Sequence, residues 1–200
     1  MNDAVKVEDS ELVKSFNSGS ESAFDELVKR YSTQMFKVAY GFLRSNEDAE
    51  EVVQDTFVKV YRNLKTFRGD SSFSTWTYRI LINLARNKYQ WNKRRGEQQK
   101  VSISEKRQTP DGGDAGDIDF ADTAHAPNTI MEKSEEDERI MSAIADLPEA
   151  LKESIILRHL EDMSYEDIAR ITGANIGTVK SRLSRARESL ARMLKNERGS

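Results

Sequence analysis

The stretch 164–187, SYEDIARITGANIGTVKSRLSRAR, decides the fold of the C-terminal half of the chain. Ser164 lies three residues before Asp167, which is the spacing of a helix N-cap and a first-turn carboxylate. Gly173 can adopt the left-handed backbone of a tight turn, and a second helix is predicted from Thr178 to Met193. A short helix, a tight turn and a longer basic helix together form a helix-turn-helix.

The second helix of this motif separates apolar from basic side chains. Its apolar stripe is predicted to face inward and consists of Val179, Leu183, Ala186 and Leu190. The N-terminal part of such a helix enters the major groove, where Arg and Lys reach guanine edges and phosphates. Basic residues are more often only a solvated surface, but here the cap, the turn glycine, the inward stripe and the one-sided charge coincide. The predicted DNA contacts are Thr178, Lys180, Ser181, Arg182, Ser184 and Arg185.

Charge is segregated along the chain, although the formal net charge is only −3. A basic block over 79–107 precedes an acidic block over 110–138, and a second basic block covers 170–198. A net negative charge therefore does not argue against nucleic acid as a partner, because the cations are concentrated in two separate segments.

The middle of the chain lacks the hydrophobic periodicity of either a helix or a strand. Its acidic and small residues cannot bury enough apolar surface to fold, so we predict a flexible acidic linker over 96–131. On both sides, apolar residues recur at helical spacing. The predicted fold class is therefore all-α, with two small helical domains over 1–95 and 132–200.

One helix of the N-terminal half is especially clear in the sequence. Ser45 and Asn46 supply capping oxygens, and acidic residues follow, as suits the positive end of a helix. Its predicted inner face consists of Ala49, Val52, Val53, Phe57, Val60, Tyr61 and Leu64. Four exposed side chains are left for solvent or a partner: Glu50, Glu51, Gln54 and Asp55.

Aromatic residues alternate with cations in the segment that follows. Phe67, Phe73, Trp76, Tyr78, Tyr89 and Trp91 are interleaved with Arg68, Arg79, Arg86 and Lys88. This combination suits single-stranded DNA, because bases stack on rings while cations track phosphates. Helical periodicity favours a core role for Phe73 and Trp76, whereas Tyr78, Arg79 and Asn83 are predicted to lie off the apolar face.

Composition excludes several classes of protein. The chain has no Cys, which excludes disulfide scaffolds, thiolate zinc sites and cysteine nucleophiles. The N-terminus lacks the features of a signal peptide, and no stretch reaches the ~18 apolar residues of a membrane span. We therefore expect a cytoplasmic protein that is neither exported nor inserted in a membrane.

Three stretches resemble the extracytoplasmic-function sigma factors of bacterial RNA polymerase. They are DAEEVVQDTFVKVYRNL over 48–64, FRGDSSFSTWTYRI over 67–80, and 147–187, which includes SYEDIA and GTVKSRLSRAR. The resemblance covers nearly the whole chain outside the linker, in order and at the expected separations. It implies sigma region two in the first domain and sigma region four in the second.

The resemblance also implies a role for each segment. Glu50, Glu51, Gln54 and Asp55 would dock on the clamp coiled coil of the largest polymerase subunit, and the flap would be a further contact. The linker would thread the RNA exit channel. The helix-turn-helix would read the duplex minus-thirty-five element, although Ser184 is often bulkier in relatives. The residues implied to capture the melted minus-ten strand are Phe67, Arg68, Asp70, Ser71, Ser72, Phe73, Tyr78, Arg79 and Asn83.

The resemblance predicts an alternative sigma factor for a stress-responsive regulon, held by an anti-sigma factor, without enzymatic activity, cofactor or metal. A stand-alone helix-turn-helix regulator is one alternative, but it leaves the aromatic loop unexplained. A metal-dependent nuclease using Glu50, Glu51 and Asp55 is another alternative. The positive end of a helix already explains those carboxylates.

Overall fold

The computed structural model describes residues 7–106 and 135–197, with side chains described over 7–96 and 138–195. All regular secondary structure in these ranges is helical, which confirms the all-α prediction. Residues 107–134, which include most of the predicted linker, lie outside the described residues. The helices are α1 (Asp9–Asn17), α2 (Glu21–Leu43), α3 (Asn46–Asn63), α4 (Phe73–Lys106), α5 (Glu135–Ala145), α6 (Glu149–Leu160), α7 (Tyr165–Thr172) and α8 (Ile176–Glu197), with a short 3-10 turn at Leu64–Thr66.

The N-terminal half is a bundle in which α2, α3 and α4 pack on one another and α1 closes one end. Asp9 of α1 accepts hydrogen bonds from Arg30 and Tyr31 of α2. An apolar cluster beneath these contacts joins α1 to the end of α3 and the start of α4. Its buried members are Leu12, Val13, Phe16, Ala23, Leu27, Val60, Leu64 and Phe73.

Both predicted serine caps are confirmed. The Ser45 hydroxyl accepts the backbone N–H of Asp48 at 3.1 Å at the start of α3. The Ser164 hydroxyl accepts the backbone N–H of Asp167 at 3.0 Å at the start of α7. Gly173 ends α7 with φ of 70°, the left-handed conformation expected of the turn glycine.

Two helix boundaries differ from the sequence predictions. Helix α8 begins at Ile176, two residues before the predicted start, because the Asn175 side chain caps it by accepting the N–H of Thr178 at 2.7 Å. Helix α4 continues through Lys106, whereas the linker was predicted to begin at 96. Residues 97–100 are Glu, Gln, Gln and Lys, which have high helix propensity and extend a helix without an apolar stripe.

The two halves share one core. A single cluster of buried residues contains Phe42 of α2 and Leu81 of α4 together with Ile156 of α6 and Val179 of α8. The backbones of α2 and α6 approach closely at Gly41, where an added Cβ would lie 3.4 Å from the Ile156 side chain. Helices α6 and α7 therefore pack directly against α2 and α4 in this conformation.

Candidate nucleic-acid and polymerase interfaces

The outward side of α8 is a basic surface held by a buried inner stripe. Val179, Leu183 and Ala186 are at most 1% exposed, which confirms that this side faces the core. The alternate side carries all six predicted duplex contacts. Lys180, Ser181, Ser184 and Arg185 are exposed, and Thr178 and Arg182 are half-buried. We call these six residues the α8 surface.

The cations of the α8 surface are available to a ligand. Within the described ranges, no carboxylate lies within ion-pair distance of Lys180, Arg182 or Arg185. The hydroxyl of Ser184 bonds Glu188 at 3.1 Å, and the hydroxyl of Ser181 donates to the backbone of its own helix. Unpaired cations on a rigid helix can neutralise phosphates without first breaking an internal ion pair.

The loop between the 3-10 turn and α4 rests on three aromatic rings that pack edgewise or at a tilt. The Phe67 ring centroid lies 5.1 Å from that of Trp76 and 6.2 Å from that of Phe73. Phe73 is only 4% exposed, so its predicted core role agrees with the structure, and it is not open to a strand here. Gly69, with φ of 77°, allows the chain to turn above these rings.

The tip of this loop is polar and open. Arg68, Asp70 and Ser72 are exposed, and Ser71 and Phe67 are half-buried. Ser72 also accepts the backbone N–H of Thr75 at 3.0 Å, which fixes the loop to the first turn of α4. The loop therefore presents hydrogen-bonding groups beside a ring platform, an arrangement suited to an unstacked base.

Tyr78 does not lie where the sequence predicted. It was expected off the apolar face of α4, yet it is 1% exposed. The reason is long-range, because its hydroxyl donates to Glu161 Oε2 of the C-terminal half at 2.5 Å. Burial and the Glu161 carboxylate both raise the pKa of the Tyr78 phenol, which holds it neutral.

Arg79 and Asn83 are exposed as predicted and flank the buried Tyr78. Arg79 lines a cavity of about 470 Å³ whose other walls belong to the helix-turn-helix, including Gly173, Ala174 and Ile176. Arg79, one of the predicted minus-ten residues, therefore lies close to the start of α8.

The predicted polymerase-binding side chains share one open face of α3. Glu50, Glu51, Gln54 and Asp55 are all exposed. Lys88 of α4 contacts this face, with Nζ 2.5 Å from Glu51 and 3.2 Å from Asp48. These two carboxylates raise the pKa of Lys88, so the cation stays charged and links α3 to α4.

The inner face of α3 contains one error of prediction. Tyr61 was placed with the buried residues but is 46% exposed. Its ring packs edgewise on Phe16 of α1 and Phe24 of α2, with centroids 5.2 and 5.1 Å apart. Contact on one side leaves the other side of the ring in solvent.

The remaining aromatic residues of α4 divide between core and surface. The Tyr89 ring packs on Phe42, with centroids 5.6 Å apart. Trp91 is 47% exposed and lies between two cations, Lys88 at 5.5 Å and Arg95 at 5.2 Å from its ring. Only Trp91 of this pair is open to a ligand.

Sequence analysis missed a set of buried charges on α6. Lys152 and Glu153 are 1% and 2% exposed. The Glu153 carboxylate accepts from Arg86 Nε at 2.7 Å, and the Lys152 ammonium lies 4.5 Å from the Tyr89 ring centroid. Burial lowers the pKa of Lys152. A lysine and a glutamate inside an apolar run were the only signal in the sequence.

Two further kinds of feature are absent from the described residues. No group of three His, Asp or Glu side chains among them is arranged to hold a metal ion. None of the helices in 7–106 and 135–197 is long and apolar enough to cross a membrane.

Both halves of the chain match known protein families. Residues 27–95 match the family model for sigma-70 region 2, and residues 137–190 match that for sigma-70 region 4. The chain is 37% identical over 187 residues to the ECF RNA polymerase sigma-E factor of Haemophilus influenzae, covering 94% of this chain and 95% of that protein.

Two solved structures resemble this fold over most of its length. One is CnrH in complex with the cytosolic domain of CnrY, with a TM-score of 0.67, 26% identity, and coverage of 94% of this chain and 97% of that chain. The other is the sigma factor RpoE with the anti-sigma factor NepR from Bartonella quintana. Its TM-score is 0.58 and its identity 27%, with coverage of 86% of this chain and 96% of that chain.

Proposed function

Because the chain belongs to the extracytoplasmic-function sigma factors of RNA polymerase, in the sigma-70 family, we propose that its two halves read two promoter elements. The protein is an alternative sigma factor, which binds core RNA polymerase and initiates transcription at specific promoters without enzymatic activity of its own. The surfaces described above support a role for individual residues in each step.

The α8 surface reads the minus-thirty-five element as duplex. The observation that carries this assignment is the basic side of α8, whose cations have no carboxylate partner among the described residues, while the opposite side of the helix is buried in the core. Arg182 and Arg185 are suited to guanine edges and phosphates, and the small Ser181 and Ser184 allow close approach of the backbone. Thr178, at the N-terminal end of the surface, contacts the sugar-phosphate backbone, and Lys180 adds a further positive charge that neutralises phosphates.

The loop over 67–73 and the neighbouring side of α4 bind the melted minus-ten strand. A base that leaves the stack loses a few kcal/mol of stacking and pairing free energy, which a pocket offsets with its own contacts. Arg68, Asp70, Ser71 and Ser72 offer hydrogen bonds above the Phe67 ring. Arg79 and Asn83 contact the strand where it runs along α4. Phe73 supports the loop from within, and Tyr78 becomes available only if the C-terminal half moves.

The exposed acids of α3 dock on the clamp coiled coil of the polymerase, and the C-terminal half contacts the flap. Glu50, Glu51, Gln54 and Asp55 are all exposed on one face of α3, which supports a role in binding. Lys88 bridges this face to α4. Docking therefore fixes the helix that reads the minus-ten strand.

An anti-sigma factor is a further partner. RpoE of Bartonella quintana was solved with such a partner, and this chain has the same fold at 27% identity. The site of action is the cytoplasm, where the polymerase is found. The regulon answers a stress signal that releases the inhibitor.

Gel filtration with and without bacterial core RNA polymerase, followed by transcription from a promoter library, tests the assignment. We expect co-elution with core and initiation that depends on both proteins. Tight binding of the chain alone to duplex DNA, without co-elution, would instead favour a stand-alone regulator. DNA cleavage on addition of Mg²⁺ would favour the nuclease alternative.

A further inference from the structure

Helix α1 packs on the turn that leads into the loop over 67–73, although it lies outside the segment that matches sigma-70 region 2. The family match begins at residue 27, whereas α1 ends at Asn17. The backbone of α1 lies beside the 3-10 turn Leu64–Thr66, which directly precedes the loop. Phe73 shares one apolar cluster with the buried face of α1, which consists of Leu12, Val13 and Phe16. Helix α1 is therefore placed to influence the loop from beneath.

A polar contact also joins α1 to α2. The two oxygens of the Asp9 carboxylate have different donors, because Oδ1 accepts from the Arg30 guanidinium and Oδ2 from the Tyr31 phenol. The side chains of Arg30 and Asp9 are only 16% and 23% exposed. Burial and the Asp9 carboxylate raise the pKa of the Tyr31 phenol, which keeps it a neutral donor. One carboxylate of α1 thus holds two neighbouring side chains of α2.

Tyr31 is in direct contact with the rings beneath the loop. Its ring centroid lies 5.5 Å from that of Phe73. Phe73 in turn contacts Phe67 and Trp76, with centroids 6.2 and 6.1 Å apart, and we call these three side chains the ring platform. Phe73 is 4% exposed and closely packed, so its ring cannot shift without its neighbours. A change in the position of Tyr31 is therefore passed to the ring platform.

Packing in this cluster does not itself require the Tyr31 hydroxyl. A phenylalanine ring would fill nearly the same space, but its far end would be held by packing alone. The bond to Asp9 adds a fixed point at that far end, and a bond to a charged acceptor is stronger than one between neutral groups. A site that binds one small group needs its supporting side chains held to within about 0.5 Å, which packing and hydrogen bonds achieve together.

We propose that Asp9 and Tyr31 are positioning residues for recognition of the minus-ten strand. Asp9 fixes the far end of Tyr31, Tyr31 fixes the ring platform, and the platform holds the loop over 67–73 in the shape that accepts an unstacked base. Neither Asp9 nor Tyr31 contacts DNA. This inference rests on the proposed function, because it takes the loop as the base-binding site. It extends the minus-ten reader to α1 and leaves the α8 surface unaffected.

Three variants separate positioning from packing. Tyr31→Phe removes the hydroxyl and keeps the ring, so the apolar cluster stays filled. Asp9→Ala removes the acceptor, and the double variant shows whether the two residues act through one another. Glu11→Ala removes an exposed acid from the same turn of α1 and is the matched control.

Strand selectivity is the readout, measured with holoenzyme assembled from core polymerase and the full chain. The probes are two fluorescent single-stranded oligonucleotides, one with the minus-ten block that the wild-type protein enriches from a promoter library and one with that block scrambled. Tyr31→Phe and Asp9→Ala should each lower the affinity ratio between the probes about fivefold, the loss that corresponds to one hydrogen bond. The double variant should lose no more than either single variant, and Glu11→Ala should match wild type.

Core affinity, minus-thirty-five discrimination and the urea midpoint distinguish positioning from a structural role. We expect core affinity and minus-thirty-five discrimination to equal those of wild type in every variant, and a parallel loss of either would refute a role confined to the minus-ten strand. A lower urea midpoint with an unchanged affinity ratio would overturn the proposal. A double variant whose loss is the product of the two single losses would contradict action of Asp9 through Tyr31. Wild-type holoenzyme that does not distinguish the probes would instead overturn the proposed function.

Discussion

The outward side of α8 and the 75–86 side of α4 are both polar, yet one is open and the other is covered. In the part of the chain that the structure describes, the cations of the α8 surface have no carboxylate within ion-pair distance, and three core residues beneath the surface fix its register. The α4 side has its tyrosine, threonine and arginine already bonded to the other half. The comparison teaches that a polar helix face stays open where the described residues supply no partner for its cations, and is covered where a distant segment supplies partners.

The largest effect is expected where the support of the α8 surface is removed. Leu183 is 1% exposed and lies directly beneath the α8 surface. Leu183→Ala removes buried methyl groups and leaves a cavity, which lowers the free energy of unfolding by about 2–5 kcal/mol. Urea denaturation measures the loss. Ser184→Ala, the exposed neighbour, should stay within about 0.5 kcal/mol of wild type; an equal loss in both variants would contradict a buried stripe.

The next effect tests the open surface itself. Arg185→Ala removes one proposed duplex contact and should weaken minus-thirty-five recognition by about 1–3 kcal/mol, or roughly 5- to 150-fold. Transcription from matched and mutated minus-thirty-five elements measures it, with Arg192→Ala farther along α8 as control. Equal discrimination between the elements in wild type and Arg185→Ala would refute the assignment.

The two serine caps test whether the two halves unfold together, because one cap lies in each half. Ser45→Ala and Ser164→Ala each remove one hydroxyl cap and should each lower the free energy of unfolding by about 1 kcal/mol. Since one core joins the halves, both substitutions should shift the same thermal transition in calorimetry. Two separate transitions, each moved by only one of the substitutions, would show that the halves fold independently.

The smallest effect concerns pH and the covered side. Burial raises the pKa of Glu161 above its ordinary value of 4.5, so folding favours the protonated carboxyl. The unfolding free energy of wild type should therefore rise relative to Glu161→Gln as the pH falls through the folded pKa, and level off below 4.5. Urea titrations between pH 7 and 4 measure the difference. The contribution of His159, whose pKa burial lowers, cancels between the two proteins.

Local signals predicted the parts of the fold that depend on neighbours in sequence. The caps at Ser45 and Ser164, the turn at Gly173 and the buried stripe of α8 all follow from spacing over four to eight residues. The exposure of Arg79 and Asn83 was predicted in the same way. Such signals act within one helix, where side-chain direction repeats every 3.6 residues.

The errors have a common physical cause in contacts between distant segments. Tyr78 is buried only because Glu161 lies above it, and Lys152 and Glu153 are buried only because α4 and α2 provide rings and a guanidinium. Periodicity within α4 or α6 contains no information about the partner. Tyr61 was wrong for a similar reason, since its neighbours on α1 and α2 cover one side of the ring alone.

The central claim is that one chain reads two promoter elements. The most direct test mixes this protein with core polymerase and a randomised promoter library, and sequences the promoters from which transcription starts. We predict two enriched blocks about 25 base pairs apart, with Arg185→Ala losing the upstream block and Arg79→Ala weakening the downstream one. A single enriched block, or the same enrichment without core polymerase, would contradict the account.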